Sequence, residues 1–469
     1  MVDRRAFLST AGLGFAGLVA GCVTSGSGPQ SGGAFDLIAD VQERTFRFFW
    51  ETTDPQTGLA PDRWPTPSFT SIAAVGFALT AYPVGVTRRW ISRDQARART
   101  LATLRFFADA AQGDGATGVS GYKGFFYHFL GTTNGQRFAR CELSSIDTAL
   151  LIGGALFAQS WFDGDHPDEA EIRRLADQLY LAVEWDWMMP RPPFVAMGWH
   201  PEDGFIRSDW NIYNEAMLLY VMALASPTHA IAADTWPKLT ARFADAWTEN
   251  RGRPHLHFSP LFGHQYSHMW IDFRGIRDPF IASKGIDYFE NSRRATIAQR
   301  DYAVANPGRF AGYGPDIWGL TACDGPGDFT RTIGGTAREF YSYSARGPGD
   351  RDDGTLAPTA ALGSIAFAPE LVVPAATAMH ARYGRGIYGR YGFLDSFNPT
   401  LTDALAPLQH GKIVPCVGWV DSDYLGIDQG PILGGIENWR SGMIWATMRR
   451  NPHIRCGLQR AGFTGGWLS

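Results

Sequence analysis

The chain has 469 residues, with 42 Lys and Arg against 46 Asp and Glu and a formal net charge of -4. A balance this close to neutral excludes a general electrostatic attraction to a phosphate backbone or an anionic membrane. Many of the 16 Trp, 16 Tyr and 31 Phe residues must lie in the core, but tryptophans in loops also offer flat faces on which sugars stack.

At the N-terminus Arg4 and Arg5 precede a small apolar run from Ala11 to Gly21, too short to span a bilayer as a stable helix. The paired arginines resemble a twin-arginine export signal. Leu18-Val19-Ala20-Gly21-Cys22 resembles a lipobox with Cys22 as the lipidated residue. The expectation is a signal peptide over 1–21 and a flexible tether over 22–34, rich in Gly and Ser. Val23 after Cys22 suits an outer-membrane-directed lipoprotein, giving a periplasmic or cell-envelope location with membrane contact through the lipid only. Cys141, Cys323, Cys416 and Cys456 form no CxxC, so no structural zinc site is expected, and their pairing stays open.

From Phe35 onward helical patterns alternate with loops rich in Gly, Pro and Asp. The spacing predicts helices over 35–52, 92–111, 143–161, 170–187, 213–224, 237–248, 286–306, 358–367, 373–383 and 430–449. Some, such as 143–161, are apolar all round, whereas others, such as 92–111, carry one apolar stripe. An all-α domain over 35–469 follows, with the apolar helices as an inner ring and the amphipathic ones outside, a closed helical toroid. The connections 112–142, 190–209, 252–285, 308–354 and 388–420 are long, aromatic and polar, and are read as a cleft at one end of the ring.

Three acid groups stand out. Glu142, Ser144 and Asp147 fall where a loop enters an apolar helix, where helix capping competes with catalysis. Glu215, in Asp209-Trp210-Asn211-Ile212-Tyr213-Asn214-Glu215-Ala216-Met217, lies in a wall that otherwise favours burial. Such a carboxyl has a raised pKa, as a general acid requires, although a buried glutamate paired with arginine fits the same residues. Asp395, in Gly392-Phe393-Leu394-Asp395-Ser396-Phe397, is either a buried turn aspartate or a base. Glycoside cleavage uses two such acids.

Asp147, Asp209, Tyr213, His264, Gln265, Trp270, Asp272, Arg274, Trp318, Asp324, Phe393, Trp419 and Trp439 are candidate substrate contacts, with loop packing as the alternative for each. His264 and His268 do not form an HExxH motif and no third ligand is evident, so no metal is expected. The sequence has no GxSxG, no dinucleotide fingerprint and no basic stripe, so neither a cofactor nor nucleic acid is called for.

Several blocks in order, among them RTFRFFWETTDPQTGLAPDR, YKGFFYHFL, CELSSIDTALLIGGAL, SDWNIYNEAML, LFGHQYSHMWIDFR, GYGPDIWGLTACDGP and YGRYGFLDSFNP, resemble the bacterial glucoamylase-like domain family, including the β-1,2-glucanases of glycoside hydrolase family 144. The resemblance spans roughly residues 40–450. It implies an (α/α)6 toroid and hydrolysis of β-1,2-glucan with inversion. Glu215 would be the general acid, Asp395 the base-side residue, and Glu142 and Asp147 part of the same acidic cleft. Transglycosylation, another linkage on the same fold and a non-catalytic glycan-binding lipoprotein are the alternatives. A glucan is the implied partner.

Overall fold

The computed structural model describes residues 31–250 and 252–469. The export signal, Cys22 and most of the tether lie outside the described residues. The helices in chain order are α1 (Ser31–Thr52), α2 (Ile72–Thr87), α3 (Arg93–Asp109), α4 (Ser145–Trp161), α5 (Pro167–Ala182), α6 (Met217–Ala225), α7 (Thr235–Arg242), α8 (Tyr266–Trp270), α9 (Pro279–Ser283), α10 (Tyr288–Ala305), α11 (Pro358–Leu362), α12 (Pro369–Ile387), α13 (Gly426–Arg440), α14 (Met443–Met448) and α15 (Pro452–Arg460).

Local chemistry sets these bounds. Ser92 and Gln95 form a reciprocal capping box at the start of α3. Ser71, Ser144 and Asp287 cap α2, α4 and α10 through their side chains. Gly442 takes a left-handed φ of 67° and separates α13 from α14, a stretch the sequence pattern reads as one helix. α5 stops at Ala182, five residues short of the expected end, because Val183 turns to extended backbone. α1 begins at Ser31, inside the stretch read as tether.

The helices form a double ring. α6, α8 and α11 are buried at every residue, and α2, α4 and α13 at nearly every one. α1, α3, α5, α7, α10 and α12 alternate with them along the chain and keep a wet face. α2 packs on α4 and α13, α11 on α13, and α3 on α5. The α2–α4 contact is backbone on backbone: a Cβ at Gly76 would lie 2.2 Å from Leu150 O, and one at Gly154 2.1 Å from Gly76 O.

Hydrogen bonds show that all six inner helices start at one end. The Ile72 N–H at the start of α2 donates to His128 O, and the His128 N–H donates to Glu142 O just ahead of α4. Trp210 Nε1 donates to Ser145 Oγ and links α4 to the approach of α6. Ser267 Oγ of α8 donates to Glu215 O. Gln265 Nε2 reaches Ala360 O of α11, and Thr359 Oγ1 reaches Asp428 O of α13. The Gly426 N–H returns to Asp62 O beside α2. Six positive helix ends therefore face the same region, a favourable setting for carboxylates.

At the opposite end α14 and α15 cover the ring. Trp445 Nε1 donates to His268 O, Asn451 Nδ2 to Leu156 O and Arg460 Nη1 to Leu224 O, each near the end of an inner helix. Among the described residues no helix is long and apolar enough to cross a membrane.

Candidate active site

Two acid groups occupy the end where the inner helices begin. The first is built on a five-stranded sheet whose strands run 121–122, 125–127, 143–144, 198–200 and 204–205. Its registers pair Tyr127 with Leu143 and Leu143 with Trp199. One step on, Glu142 falls between His128 and His200. His128 Nδ1 is 2.8 Å from Glu142 Oε1, and His128 Nε2 is 3.4 Å from Asp147 Oδ1. Ser144 Oγ donates to Asp147 Oδ2 at 2.5 Å. Burial alone would raise the Glu142 carboxyl, but the charge and hydrogen bond of His128 overcome it and hold the group at about 2.

Glu215, just ahead of α6, behaves in the opposite way. Burial first, then the charge of Asp147, pushes its carboxyl up to about 7, and its Oε2 is buried without a hydrogen-bond partner. Glu142 and Glu215 are thus driven in opposite directions, the first held ionised and the second keeping its proton to about pH 7.

The second group gathers around Asp395, which lies between the short strands 392–393 and 397–398. The Asp324 N–H donates to Asp395 Oδ2 at 2.8 Å, and the Asp395 N–H donates to Asp423 O. Burial, followed by the charges of Asp428, Asp421 and Asp324, pushes Asp395 well above the carboxylate range. Positive charge comes from Arg63, 2.6 Å from Asp324 and 3.6 Å from Asp423. His410 adds more: its Nε2 lies 2.6 Å from Asp421, 3.3 Å from Asp423 and 3.8 Å from Asp324. Burial opposes its protonation, but the bonds to Asp421 and Asp423 win and raise it to about 10.

Asp324, His410, Asp421 and Asp423 bring ligand-type atoms within 4.8 Å of one another. The sequence reading foresaw no such grouping. Arg63 and His410 already serve as its internal cations, so the chemistry of the group is that of an ion network around Asp395.

Of the sequence candidates, Glu142, Asp147, Glu215, Asp324 and Asp395 occupy this end of the ring. Asp209 is held in the loop ahead of α6 by Arg191, at 2.5 and 2.9 Å. The other ten candidates have their side chains committed to packing, hydrogen bonds or ion pairs within the fold. Tyr213 is buried, its ring parallel to Tyr288 and its OH 3.1 Å from His264 Nδ1. His264 is itself buried against Phe258 O. Gln265 donates to Ala360 O and Ser364 Oγ. Trp270 lies parallel to Phe77 and donates to Thr80. Trp318 and Phe393 are core residues, and Trp419 donates to His410 O from a buried site. Asp272 and Arg274 are at the wrong end of the ring: Asp272 pairs with Arg274 and Arg449, and Arg274 covers Trp445 of α14. Trp439 is likewise at the far end of α13, packed against apolar residues of α12 and α13.

The residues that sequence reasoning missed are His128, Arg63 and His410. The signal for His128 was its position as the one basic side chain in Phe125-Phe126-Tyr127-His128-Phe129-Leu130. Arg63 and His410 stand in ordinary loop sequence, and nothing local marks them.

Ring and site together define an (α/α)6 toroid with carboxyl groups of divergent ionisation at the end where its inner helices begin. The family model described as "Putative glucoamylase" matches residues 207–452. A Bacteroides uniformis protein of that same description is 31% identical, with a TM-score of 0.79, covering 94% of this chain and 100% of its own. The chain belongs to this glucoamylase-like family. An endo-β-1,2-glucanase from Chitinophaga pinensis, solved with sophorotriose and glucose, is 27% identical with a TM-score of 0.76, covering 93% of this chain and 99% of its own. An exo β-1,2-glucooligosaccharide sophorohydrolase (non-reducing end) from Parabacteroides distasonis is 27% identical over 457 residues, 90% of this chain. The chain spans 57% of that relative's length.

Proposed function

We propose that the protein is a glycoside hydrolase that cleaves β-1,2-glucan with inversion, using Glu215 as general acid and Asp395 on the base side. The observation that carries this reading is the burial of Glu215 just ahead of α6 with its Oε2 unpartnered, which together with the charge of Asp147 raises its carboxyl to about 7. An acid that keeps its proton to about pH 7 can deliver it to a departing glycosidic oxygen. Asp395 lies in the second acid group, where the burial and neighbouring acids that raise its pKa make its ionised form the stronger base for the proton released as water attacks. The β-1,2-glucan activities of the Chitinophaga and Parabacteroides relatives support the linkage. The resemblance at Arg4-Arg5 and at Cys22 supports export and lipid anchoring, with the catalytic domain facing the periplasm.

A panel of glucans differing in linkage tests the reading. Incubation with the purified protein is expected to release sophoro-oligosaccharides and new reducing ends from β-1,2-glucan alone. Longer or cyclic products would replace hydrolysis by transfer, and binding without products would reduce the protein to a glycan-binding lipoprotein.

A further inference from the structure

The mechanism above uses Glu215 and Asp395 and leaves His128 without a role, although it occupies the centre of the first acid group. Its ring lies on Phe129, with centroids 3.9 Å apart and planes 20° from parallel. Its backbone is fixed on both sides, donating to Glu142 O and accepting from the Ile72 N–H. The ring therefore has one orientation, with Nδ1 on Glu142 and Nε2 facing Asp147.

We propose that His128 is a positioning residue, clamped between Glu142 and Asp147, that fixes both carboxylates at the start of α4. The charge of Asp147 bears in turn on Glu215. The inference rests on the assignment of Glu215 as the acid. The chemistry follows from the donor inventory. An ionised carboxylate only accepts, so a nitrogen 2.8 Å from Glu142 must carry a proton, and one aimed at Asp147 does the same when the ring is an imidazolium. One positive charge between two negative ones then limits the field that Asp147 exerts on Glu215.

The other ionisable groups facing this cluster are few. On the sheet, His200 lies opposite Glu142, and burial lowers its pKa. Behind it Arg137 is paired with Glu202 at 2.8 Å. Cys141, adjoining Glu142, is pushed by burial up to about 12 and stays a neutral thiol. Asp147 is anchored by Ser144 and lies in the first turn of α4, so its place does not depend on the imidazole alone.

The experiment is kcat/KM on β-1,2-glucan against pH for the wild type, His128→Gln, Asp147→Asn and the double variant. His128→Gln is expected to lower kcat about tenfold or more and to move the alkaline limb up by about half a pH unit or more, because Asp147 then faces Glu215 unshielded. Asp147→Asn is expected to move the limb down, and the double variant to follow Asp147→Asn, since His128 acts through that carboxylate. A lowered kcat with the limb unmoved in His128→Gln would make the residue merely structural. If thermal unfolding shows that His128→Gln does not fold, Asp147→Asn decides: an unmoved limb there overturns the coupling. Glu215→Gln separates the two levels. Near-normal turnover in that variant sinks the acid assignment itself, whereas an inactive Glu215→Gln together with an unmoved limb in His128→Gln sinks only the role of His128.

Discussion

Arg63 and Asp324 are 261 residues apart in sequence and joined by a buried 2.6 Å hydrogen-bonded ion pair. Arg63 also lies 3.4 Å from Asp62 and 3.6 Å from Asp423, so one guanidinium serves three carboxylates around the site of Asp395. Removing one member of such a group strands charge in a low-dielectric interior. Arg63→Met is expected to destabilise the fold by about 3–5 kcal/mol, read by denaturant unfolding at pH 7. Asp324→Asn, which keeps a hydrogen-bonding group in place, is expected to cost less.

Glu215 is a site where stability and function oppose each other. Its folded pKa is raised to about 7, so the folded state gains from the protonated form at low pH and loses that gain as pH rises from the ordinary glutamate range through 7. Glu215→Gln removes the cost of burying the anion and is expected to be more stable than wild type at pH 8 by about 3 kcal/mol, read as a higher unfolding temperature. At pH 4 the two proteins should be nearly equal. Glu142 has the reverse sign: held at about 2, it contributes stability above the ordinary glutamate range that disappears as pH falls toward 2. Thermal unfolding across this pH range checks both.

Asp395→Asn is expected to reduce kcat on β-1,2-glucan by about 10²–10⁴-fold without loss of fold. The substitution relieves the crowding of Asp395 with Asp428, Asp421 and Asp324. A variant that lost turnover together with its cooperative unfolding transition would point to a structural role instead.

Gly76→Ala tests the inner ring. The new methyl would lie 2.2 Å from Leu150 O, a backbone atom that cannot rotate away. Separation of α2 from α4 is expected to cost about 2–3 kcal/mol, visible as a lowered unfolding midpoint.

How much of this was legible in the sequence depends on the reach of the interaction concerned. The outer helices were readable because each carries its own stripe and cap; α3 was bounded to within two residues by Ser92. α2 was missed because Ile72–Thr87 is apolar on every side and contains Pro83, so it has neither periodicity nor the absence of breakers that marks a helix. Its burial comes wholly from neighbours. The acids of the site were legible as polar residues set in apolar walls, but the same rule also selected Asp272, whose partners Arg274 and Arg449 place it at the closed end. Aromatic residues misled for a related reason. Trp270, Trp318 and Trp419 fill the core, and nothing in a local window separates a core ring from one that meets a sugar. Arg63 and His410 matter only through carboxylates brought from far along the chain.

The account stands or falls on the proton carried by Glu215, and the pH dependence of kcat/KM for the wild-type protein on β-1,2-glucan tests it most directly. A decline above an apparent pKa near 7, with that activity lost in Glu215→Gln, is the predicted result. Undiminished kcat/KM up to pH 9, or a Glu215→Gln variant that turns over at close to the wild-type rate, would contradict it.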